Sequence, residues 1–251
     1  MQEKIYTSRG SYKPGQAGAY RISRSKIDLF LNCPRCFYLD RKLGIPQPPS
    51  FPFTLNTAVD TLLKKEFDIH RAKQSQHPFI EKYGLDNVVP YQNDLMDEWR
   101  NALSGGICYL HKPTNFYVTG GVDDVWQNTK TGELIIVDYK ATSKEGEVNI
   151  DADWQIGYKR QIEVYQWLFR QNGFKVCDIG YFVYCNGITD KEAFDGKLEF
   201  DVKLLPYKGD PSWVEKALLD IKSCLETNEM PQANFNCPYC KYRKAVKQHE
   251  K

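Results

Sequence analysis

The sequence predicts an α/β (α+β) fold in which a mixed central β-sheet is flanked by helices, and three patterns indicate it. Apolar residues at helical spacing predict helices over residues 55–69 and 154–171. Two stretches rich in β-branched and aromatic residues flank a turn-forming cluster at residues 128–132, which predicts a β-hairpin. Helical and strand patterns follow one another without an internal repeat, as is typical of a layered domain.

The remaining elements follow from the same periodicities. The patterns predict further helices over residues 23–31, 37–43 and 95–103, and strands over residues 116–126, 134–140, 175–185 and 198–205. Asp210 and Pro211 predict the start of another helix, with Asp210 as its N-cap. Residues 1–20 are interpreted as a flexible leader and residues 21–251 as a single domain, while residues 70–90 give only a weak signal.

The composition of the chain narrows its class. Of the 251 residues, 41% are hydrophobic and 26% are charged, which is typical of a globular domain. The net charge of +2 identifies no partner, so local clusters of basic residues matter more than the sum. The N-terminus lacks the apolar core of a signal peptide, and no apolar run reaches the ~18 residues of a membrane-spanning helix. We therefore expect a cytoplasmic protein without a membrane partner.

The eight cysteines include two Cys-Pro-x-Cys pairs, one near each end of the chain. These four residues are Cys33, Cys36, Cys237 and Cys240. In a reducing compartment such pairs bind metal more often than they form disulfides, so we predict one shared tetrahedral site. Residues 21–45 and 230–251 would then form a metal-stapled helical annex. The alternative, unpaired thiols, leaves the matched spacing of the two pairs unexplained.

The predicted hairpin places two carboxylates opposite each other. Side chains alternate between the faces of a strand, so Asp138 and Lys140 share a face and Tyr139 points away. With residues 129–132 as the turn, Asp123 falls opposite Asp138, whereas a slip of one residue would turn Asp123 to the other face. Opposed like charges destabilise a sheet unless a cation lies between them, and carboxylates with a backbone carbonyl suit Mg²⁺.

A lysine beside such a metal site suits the hydrolysis of a phosphodiester. A divalent ion lowers the pKa of bound water, and Lys140 would orient that water or balance the charge of the phosphate. The alternative is that Asp123, Asp124 and Asp138 are solvated charges at strand ends, which a lone Asp-x-Lys pattern would favour.

Here the Asp-x-Lys pattern is one of three motifs. Gly120-Gly121-Val122-Asp123, Ile136-Val137-Asp138-Tyr139-Lys140 and Gln161-x-x-x-Tyr165 resemble, in this order, the G-x-x-D, D-x-K and Q-x-x-x-Y motifs of the RecB-like branch of the PD-(D/E)xK nuclease superfamily. The resemblance implies a restriction-endonuclease-like core. It also implies a DNA nuclease that depends on Mg²⁺ or Mn²⁺.

The resemblance assigns roles to individual residues. It implies that Asp123, Asp138 and the carbonyl of Tyr139 bind the metal and that Lys140 is catalytic. It further implies that Gln161 and Tyr165, which share a helix face, line the site and contact DNA. For Tyr165, a position in the core is the alternative.

One position departs from the family pattern. Many members carry a histidine metal ligand on an early helix, and Asp60 matches that position here. Aspartate is a suitable ligand for Mg²⁺, so Asp60 is predicted as a further metal ligand, with weakened activity as the alternative. Glu66 and His70 on the same predicted helix are poorer substitutes.

The cysteine pairs extend the resemblance to the CRISPR-adaptation exonucleases, which often hold a [4Fe–4S] cluster. The segment from Cys33 to Leu39 resembles their N-terminal ligand segment. No third cysteine follows Cys237 and Cys240, so Cys36 would complete the set. We expect a structural [4Fe–4S] cluster, with Zn²⁺ as the alternative, because four thiolates serve both.

Basic and aromatic residues beside the cysteine pairs predict a nucleic-acid surface. They are Arg35, Arg41, Lys42, Lys241, Tyr242 and Arg243. This combination suits the backbone of single-stranded DNA or of free DNA ends. Residues 247–251 are better explained as a solvated basic tail.

Three hypotheses for function follow. The first is an active DNA nuclease that hydrolyses phosphodiester bonds, of exonuclease or flap type on single-stranded ends. The second is a nucleic-acid-binding module with weakened catalysis, stabilised by its cysteine metal site. The third is a nuclease subunit with protein partners in DNA repair, recombination or CRISPR adaptation, where any motor is a separate chain because this sequence has no helicase motif.

Overall fold

A computed structural model describes residues 7–8, 10–49 and 54–250 of the chain. The chain divides into two compact units, which the sequence did not indicate. Unit 1 comprises residues 1–51, 108–119 and 212–251, and unit 2 comprises residues 52–107 and 120–211. Both segments of the predicted annex fall within unit 1. The mixture of helices with mixed β-sheets confirms the predicted fold class.

The elements are named in chain order. The described strands are β1 (Thr7–Ser8), β2 (Ala19–Ser23), β3 (Val88–Pro90), β4 (Ile107–His111), β5 (Phe116–Gly120), β6 (Asp124–Asn128), β7 (Leu134–Thr142), β8 (Ile179–Gly187) and β9 (Phe200–Lys208). The described helices are α1 (Arg24–Asn32), α2 (Pro34–Arg41), α3 (Thr54–Lys73), α4 (Pro78–Lys82), α5 (Met96–Arg100), α6 (Ile156–Gln171), α7 (Trp213–Glu226) and α8 (Pro238–Val246). None of these helices is both long and apolar enough to cross a membrane.

Unit 1 contains a sheet in the strand order β1-β2-β5-β4, in which β2 runs parallel to both β1 and β5. Helices α1, α2 and α7 contact one another. Tyr12 and Tyr20 are buried and pack edge to face, and the Tyr12 hydroxyl bonds to the carboxylate of Glu226. Tyr12, Ala19 and Tyr20, which the sequence assigned to a flexible leader, therefore contribute to the packed interior of this unit, whereas most of residues 10–18 are exposed.

Unit 2 contains a sheet in the order β3-β6-β7-β8-β9. Only the β7–β8 pair is parallel among the described pairings of this sheet. Alternate residues of β7, including Val137 and Tyr139, pack with Phe67 of α3 and Trp126 of β6 in one apolar core. Asp138 and Lys140 lie on the other face of β7. The prediction that Tyr139 points away from these two residues is therefore confirmed.

The predicted boundaries beside the hairpin and at α7 are wrong. The stretch 116–126 is not one strand, because β5 and β6 belong to different sheets. Residues 121–123 connect them and lie outside both strands. A side chain at Gly121 would lie 2.6 Å from the Cα of Ala102, a contact that only glycine relieves. Asp210 is not an N-cap, because α7 begins at Trp213 and its N-cap is Ser212.

Candidate functional site

The register of the β6–β7 hairpin agrees with the prediction. Asp124 lies opposite Val137 and Gln127 lies opposite Leu134. At the turn, the Gly132 N–H donates to the Asn128 carbonyl at 2.8 Å. This register places Asp123, immediately before β6, level with Asp138, as the turn-forming residues indicated.

Asp123 is held at the end of the hairpin by the backbone of the opposite strand. Its Oδ2 accepts a hydrogen bond from the Tyr139 N–H at 2.9 Å. Its Oδ1 lies 3.7 Å from the ammonium of Lys64, and its carboxylate interacts with that of Asp138. The two aspartates of the predicted metal site are therefore neighbours within unit 2.

Asp138 is completely buried, and its carboxylate is poorly satisfied. The ammonium of Lys140 contacts Oδ2, but neither oxygen accepts a hydrogen bond of normal geometry. Burial, reinforced by the charge of Asp123, raises the pKa of Asp138 to about 7. Burial opposes a charge on Lys140, yet the carboxylates of Asp138 and Asp123 outweigh it and raise the pKa of Lys140. The site therefore keeps Lys140 charged, whereas burial disfavours the ionised form of Asp138.

Asp60 reaches the same site from helix α3. Its Oδ2 accepts from the ammonium of Lys64 at 2.7 Å, and this ammonium is also the one near Asp123. The distance between Asp60 Oδ2 and Asp123 Oδ1 is thus no greater than the sum of their two distances to Lys64 Nζ. Burial and the nearby charge of Asp123 raise the pKa of Asp60. The aspartate at the expected histidine position is therefore brought to Asp123, with Lys64 between them.

The third motif forms a chain of hydrogen bonds behind Lys140. Lys140 Nζ lies 3.5 Å from Gln161 Oε1, and Gln161 Nε2 donates to the Tyr165 hydroxyl at 3.2 Å. That hydroxyl donates to the carbonyl of Gly121 at 2.6 Å. Tyr165 is only 2% exposed, so its surroundings are those of a core residue. The motif connects the lysine to the loop that carries Asp123.

The glycine of the first motif is explained by the tyrosine of the third. A Cβ atom on Gly120 would lie 2.5 Å from Cε1 of Tyr165, well inside van der Waals contact. Only glycine lets the buried ring pack this closely against the end of β5. The two motifs therefore fit each other sterically.

Asp124 is a buried anchor that the sequence interpretation missed. The alternative that Asp123, Asp124 and Asp138 are solvated is wrong for Asp124 and Asp138, since both are fully buried. Asp124 forms ion pairs with Arg71 and Arg100, and it accepts from the Tyr139 hydroxyl at 2.7 Å. Further bonds come from the Val125 N–H and the indole of Trp126.

Arg100 extends this anchor to the candidate site. Its Nε donates to the carbonyl of Asp123 at 3.1 Å, while NH2 binds Asp124 and NH1 binds Asp68. One guanidinium therefore fixes the backbone on which Asp123 sits. Only the clustering of acidic residues at 123–124 hints at this network in the sequence, because its arginines lie on distant helices.

The four paired cysteines converge within unit 1, as predicted. All four sulfur ligand atoms lie within 4.8 Å of one another. The separations are 3.8 Å from Cys33 to Cys240, 3.6 Å from Cys36 to Cys237 and 3.6 Å from Cys36 to Cys240. Each pair opens a helix, with Cys33 as the N-cap of α2, Cys237 as the N-cap of α8 and proline at the first helical position. Such a group could bind a metal ion.

The thiols of this group differ in acidity. Burial opposes ionisation of Cys33, but nearby backbone N–H groups of Cys36 and Asn234 outweigh it and lower the pKa to about 7. Burial raises the pKa of Cys36, and it raises that of Cys240 to about 11. Cys33 is therefore more ready than Cys36 or Cys240 to lose its proton to an incoming metal ion.

The basic residues predicted to bind nucleic acid all lie in unit 1, but several are already paired. Arg41 forms an ion pair with the buried Asp40 at 2.6 Å, and Arg35 donates to the Pro231 carbonyl at 3.0 Å. Lys42 bonds to the Thr227 carbonyl and lies over the ring of Tyr38.

On α8, Lys241 lies over the ring of Phe235, 5.2 Å from its centroid. Tyr242 and Arg243 are exposed. Helix α8 therefore offers the more available groups of the predicted nucleic-acid surface.

Comparison with known proteins agrees with this geometry. The sequence pattern of the PD-(D/E)XK nuclease superfamily matches residues 21–245, and the chain belongs to that superfamily. The superfamily consists generally of nucleases that hydrolyse nucleic acids with divalent metals. No curated protein matches significantly.

Among solved structures, the chain is similar to one described as "Crystal structure of SSO0001", at 15% sequence identity and a TM-score of 0.42. That match covers 89% of this chain and 84% of the other.

Proposed function

We propose that this protein is a metal-dependent deoxyribonuclease that cleaves DNA at single-stranded ends, with Asp60, Asp123 and Asp138 as metal ligands and Lys140 as the catalytic lysine. The observation that carries the proposal is the meeting of the two aspartates and the lysine at one end of the hairpin. The contact of Lys64 with both Asp60 and Asp123 supports the third ligand.

The residues fit a hard divalent cation. Asp138 has two buried oxygens without normal hydrogen bonds, and Asp60 and Asp123 face one ammonium group. Carboxylate oxygens with a backbone carbonyl, here that of Tyr139, are the donors that Mg²⁺ and Mn²⁺ prefer. When bound, such an ion activates water and stabilises charge on the phosphate.

The chain's own residues position and charge the site. Lys140 keeps its proton beside Asp138, so it is suited to neutralise charge that develops on a phosphate oxygen. Gln161 restrains the Lys140 ammonium, and the buried Tyr165 holds the Gly121 carbonyl. We therefore assign positioning roles to Gln161 and Tyr165 and leave contact with DNA to exposed residues.

A cleavage assay tests the proposal. Labelled single-stranded, duplex and flap DNA is incubated with Mg²⁺ or Mn²⁺ and with the wild-type protein, Asp138→Asn or Asp178→Asn. Asp178 is an exposed aspartate of the same unit and serves as the matched control. We expect the wild-type protein to cleave single-stranded ends. Asp138→Asn is expected to abolish this cleavage, and Asp178→Asn is expected to retain it.

The same assay addresses the competing function. The catalytically weakened binding module becomes the better explanation if the wild type binds these DNAs but cleaves none of them. If Asp138→Asn instead cleaves DNA as well as the wild type does, the assignment of the active site to this group of residues is wrong.

For the cysteine group, we propose one structural Zn²⁺ ion. Four thiolates around a single ion at a Zn–S distance of ~2.3 Å are separated by ~3.8 Å, and the observed sulfur separations lie close to this edge length. A [4Fe–4S] cluster, which the resemblance implied, places four irons between the sulfurs and needs wider spacing. A colourless protein with one zinc per chain after anaerobic purification supports the proposal, and a brown protein with iron and sulfide contradicts it.

A further inference from the structure

Unit 1 contains a cavity beside the cysteine group that the site described above does not use. Its volume is about 240 Å³, below the ~300–1,000 Å³ of pockets for drug-sized ligands. Cys36 and Leu39 line it from α2, and Ile45, Pro46 and Pro48 line it from the segment that follows. Its lining is almost entirely apolar, so it suits one small group with apolar faces.

Two tyrosines and one arginine of α8 complete the cavity. Tyr239 and Tyr242 line it, and the side chain of Tyr242 remains 71% exposed. Arg243 lies at the same cavity and is exposed to solvent. Large aromatic side chains left open around an apolar cavity are typical of a binding surface rather than of a solvated helix.

The charge of this region favours an anionic ligand. From Pro231 to His249 the chain carries no aspartate or glutamate. The same stretch carries four basic residues, which are Lys241, Arg243, Lys244 and Lys247. The aromatic side chains at this apolar cavity match a nucleobase, because every base has a π-face. The basic residues of the segment match the phosphate, because every nucleotide carries a negative charge.

We propose that this cavity, which we call the α8 pocket, binds one unpaired base of single-stranded nucleic acid, with Tyr242 stacking on the base and Arg243 neutralising an adjacent phosphate. The inference rests on the proposed nuclease function and specifies how its substrate is recognised. A base within a duplex has its faces covered by its neighbours, so the α8 pocket selects single strands over duplexes.

Binding is measured by fluorescence anisotropy with labelled oligothymidylate, oligouridylate and a duplex of equal length. The protein is the full chain in the Asp138→Asn background, without added Mg²⁺ or Mn²⁺, so no cleavage interferes. Tyr242→Ala is expected to weaken single-strand binding about tenfold, the loss of one base–aromatic stack. Tyr242→Phe keeps the ring and is expected to retain the affinity.

Arg243→Ala supplies a second, independent measurement. It is expected to reduce the slope of log affinity against log salt by about one, because one phosphate contact is lost. Phe194→Ala, which removes an exposed aromatic side chain from unit 2, is the matched control and is expected to bind like the parent. The response of the two labelled homopolymers shows whether the pocket serves DNA, RNA or both.

Unchanged single-strand affinity in Tyr242→Ala overturns the proposal, and an unchanged salt slope in Arg243→Ala overturns it as well. Equal weakening of single-strand and duplex binding by Tyr242→Ala also overturns it, since a stacked base requires an unpaired strand. Because binding is read without cleavage, failure of the α8 pocket is distinguishable from failure of the nuclease assignment, which appears only in the cleavage assay.

Discussion

The buried charge of Asp124 gives the sharpest test of how the hairpin is held. Asp124→Asn keeps the shape of the side chain but removes the charge that pairs with Arg71 and Arg100. Breaking a buried ion pair costs about 3–5 kcal/mol, and here the two buried guanidinium groups would be left sharing the half-exposed carboxylate of Asp68. That is a large part of the ~5–15 kcal/mol that stabilises a typical domain. We therefore expect the free energy of unfolding, measured by urea titration followed by tryptophan fluorescence, to fall by about this amount.

Asp178→Asn is the matched control, since it removes a carboxylate paired with Arg170 at 2.6 Å in the same unit. Asp178 is 62% exposed, so loss of its ion pair is expected to cost at most ~1 kcal/mol. The reasoning is refuted if Asp124→Asn is as stable as Asp178→Asn, because the two substitutions would then destabilise the protein equally.

Three further predictions concern the metal sites. Lys64→Met is expected to tighten Mn²⁺ binding by up to about fivefold, equivalent to ~1 kcal/mol, because it removes the cation beside Asp60 and Asp123; weaker binding by calorimetry would contradict this. Mg²⁺ affinity is expected to fall as the pH drops below about 7, because Asp138 then carries a proton that the ion must displace; calorimetry in buffers of different ionisation enthalpy should detect a released proton below that pH and none well above it. Cys237→Ser is expected to lose the bound metal and several kcal/mol of stability, whereas Cys224→Ser, outside the group, should lose neither.

Features of the fold and site that depend on neighbouring residues were predictable from the sequence, whereas features that depend on residues distant along the chain were not, unless a motif marks those residues. The hairpin register was predictable, because turn residues at 129–132 and the two-residue period of strands act locally. The convergence of the cysteines was predictable from their spacing. The anchor around Asp124 was not, since Arg71 and Arg100 lie 53 and 24 residues away and belong to no local motif that points to Asp124.

The strand boundary at residues 121–123 was missed although the sequence marks it. The stretch from Phe116 to Trp126 has strand-forming residues at both ends, but its Gly-Gly and Asp-Asp pairs are poor strand formers, and packing against Ala102 requires glycine at position 121. The division into two units leaves no local mark in composition, because unit 1 collects segments from both ends and the middle of the chain.

The position of the paired cysteines at helix starts has an electrostatic consequence. Four thiolates around a divalent ion would leave two negative charges in excess, and the sulfurs pack against Leu29 and Ala233. The N-termini of α2 and α8 each carry about half a positive charge from aligned peptide dipoles. The main chain would thereby offset part of the excess charge that a divalent ion leaves at this group.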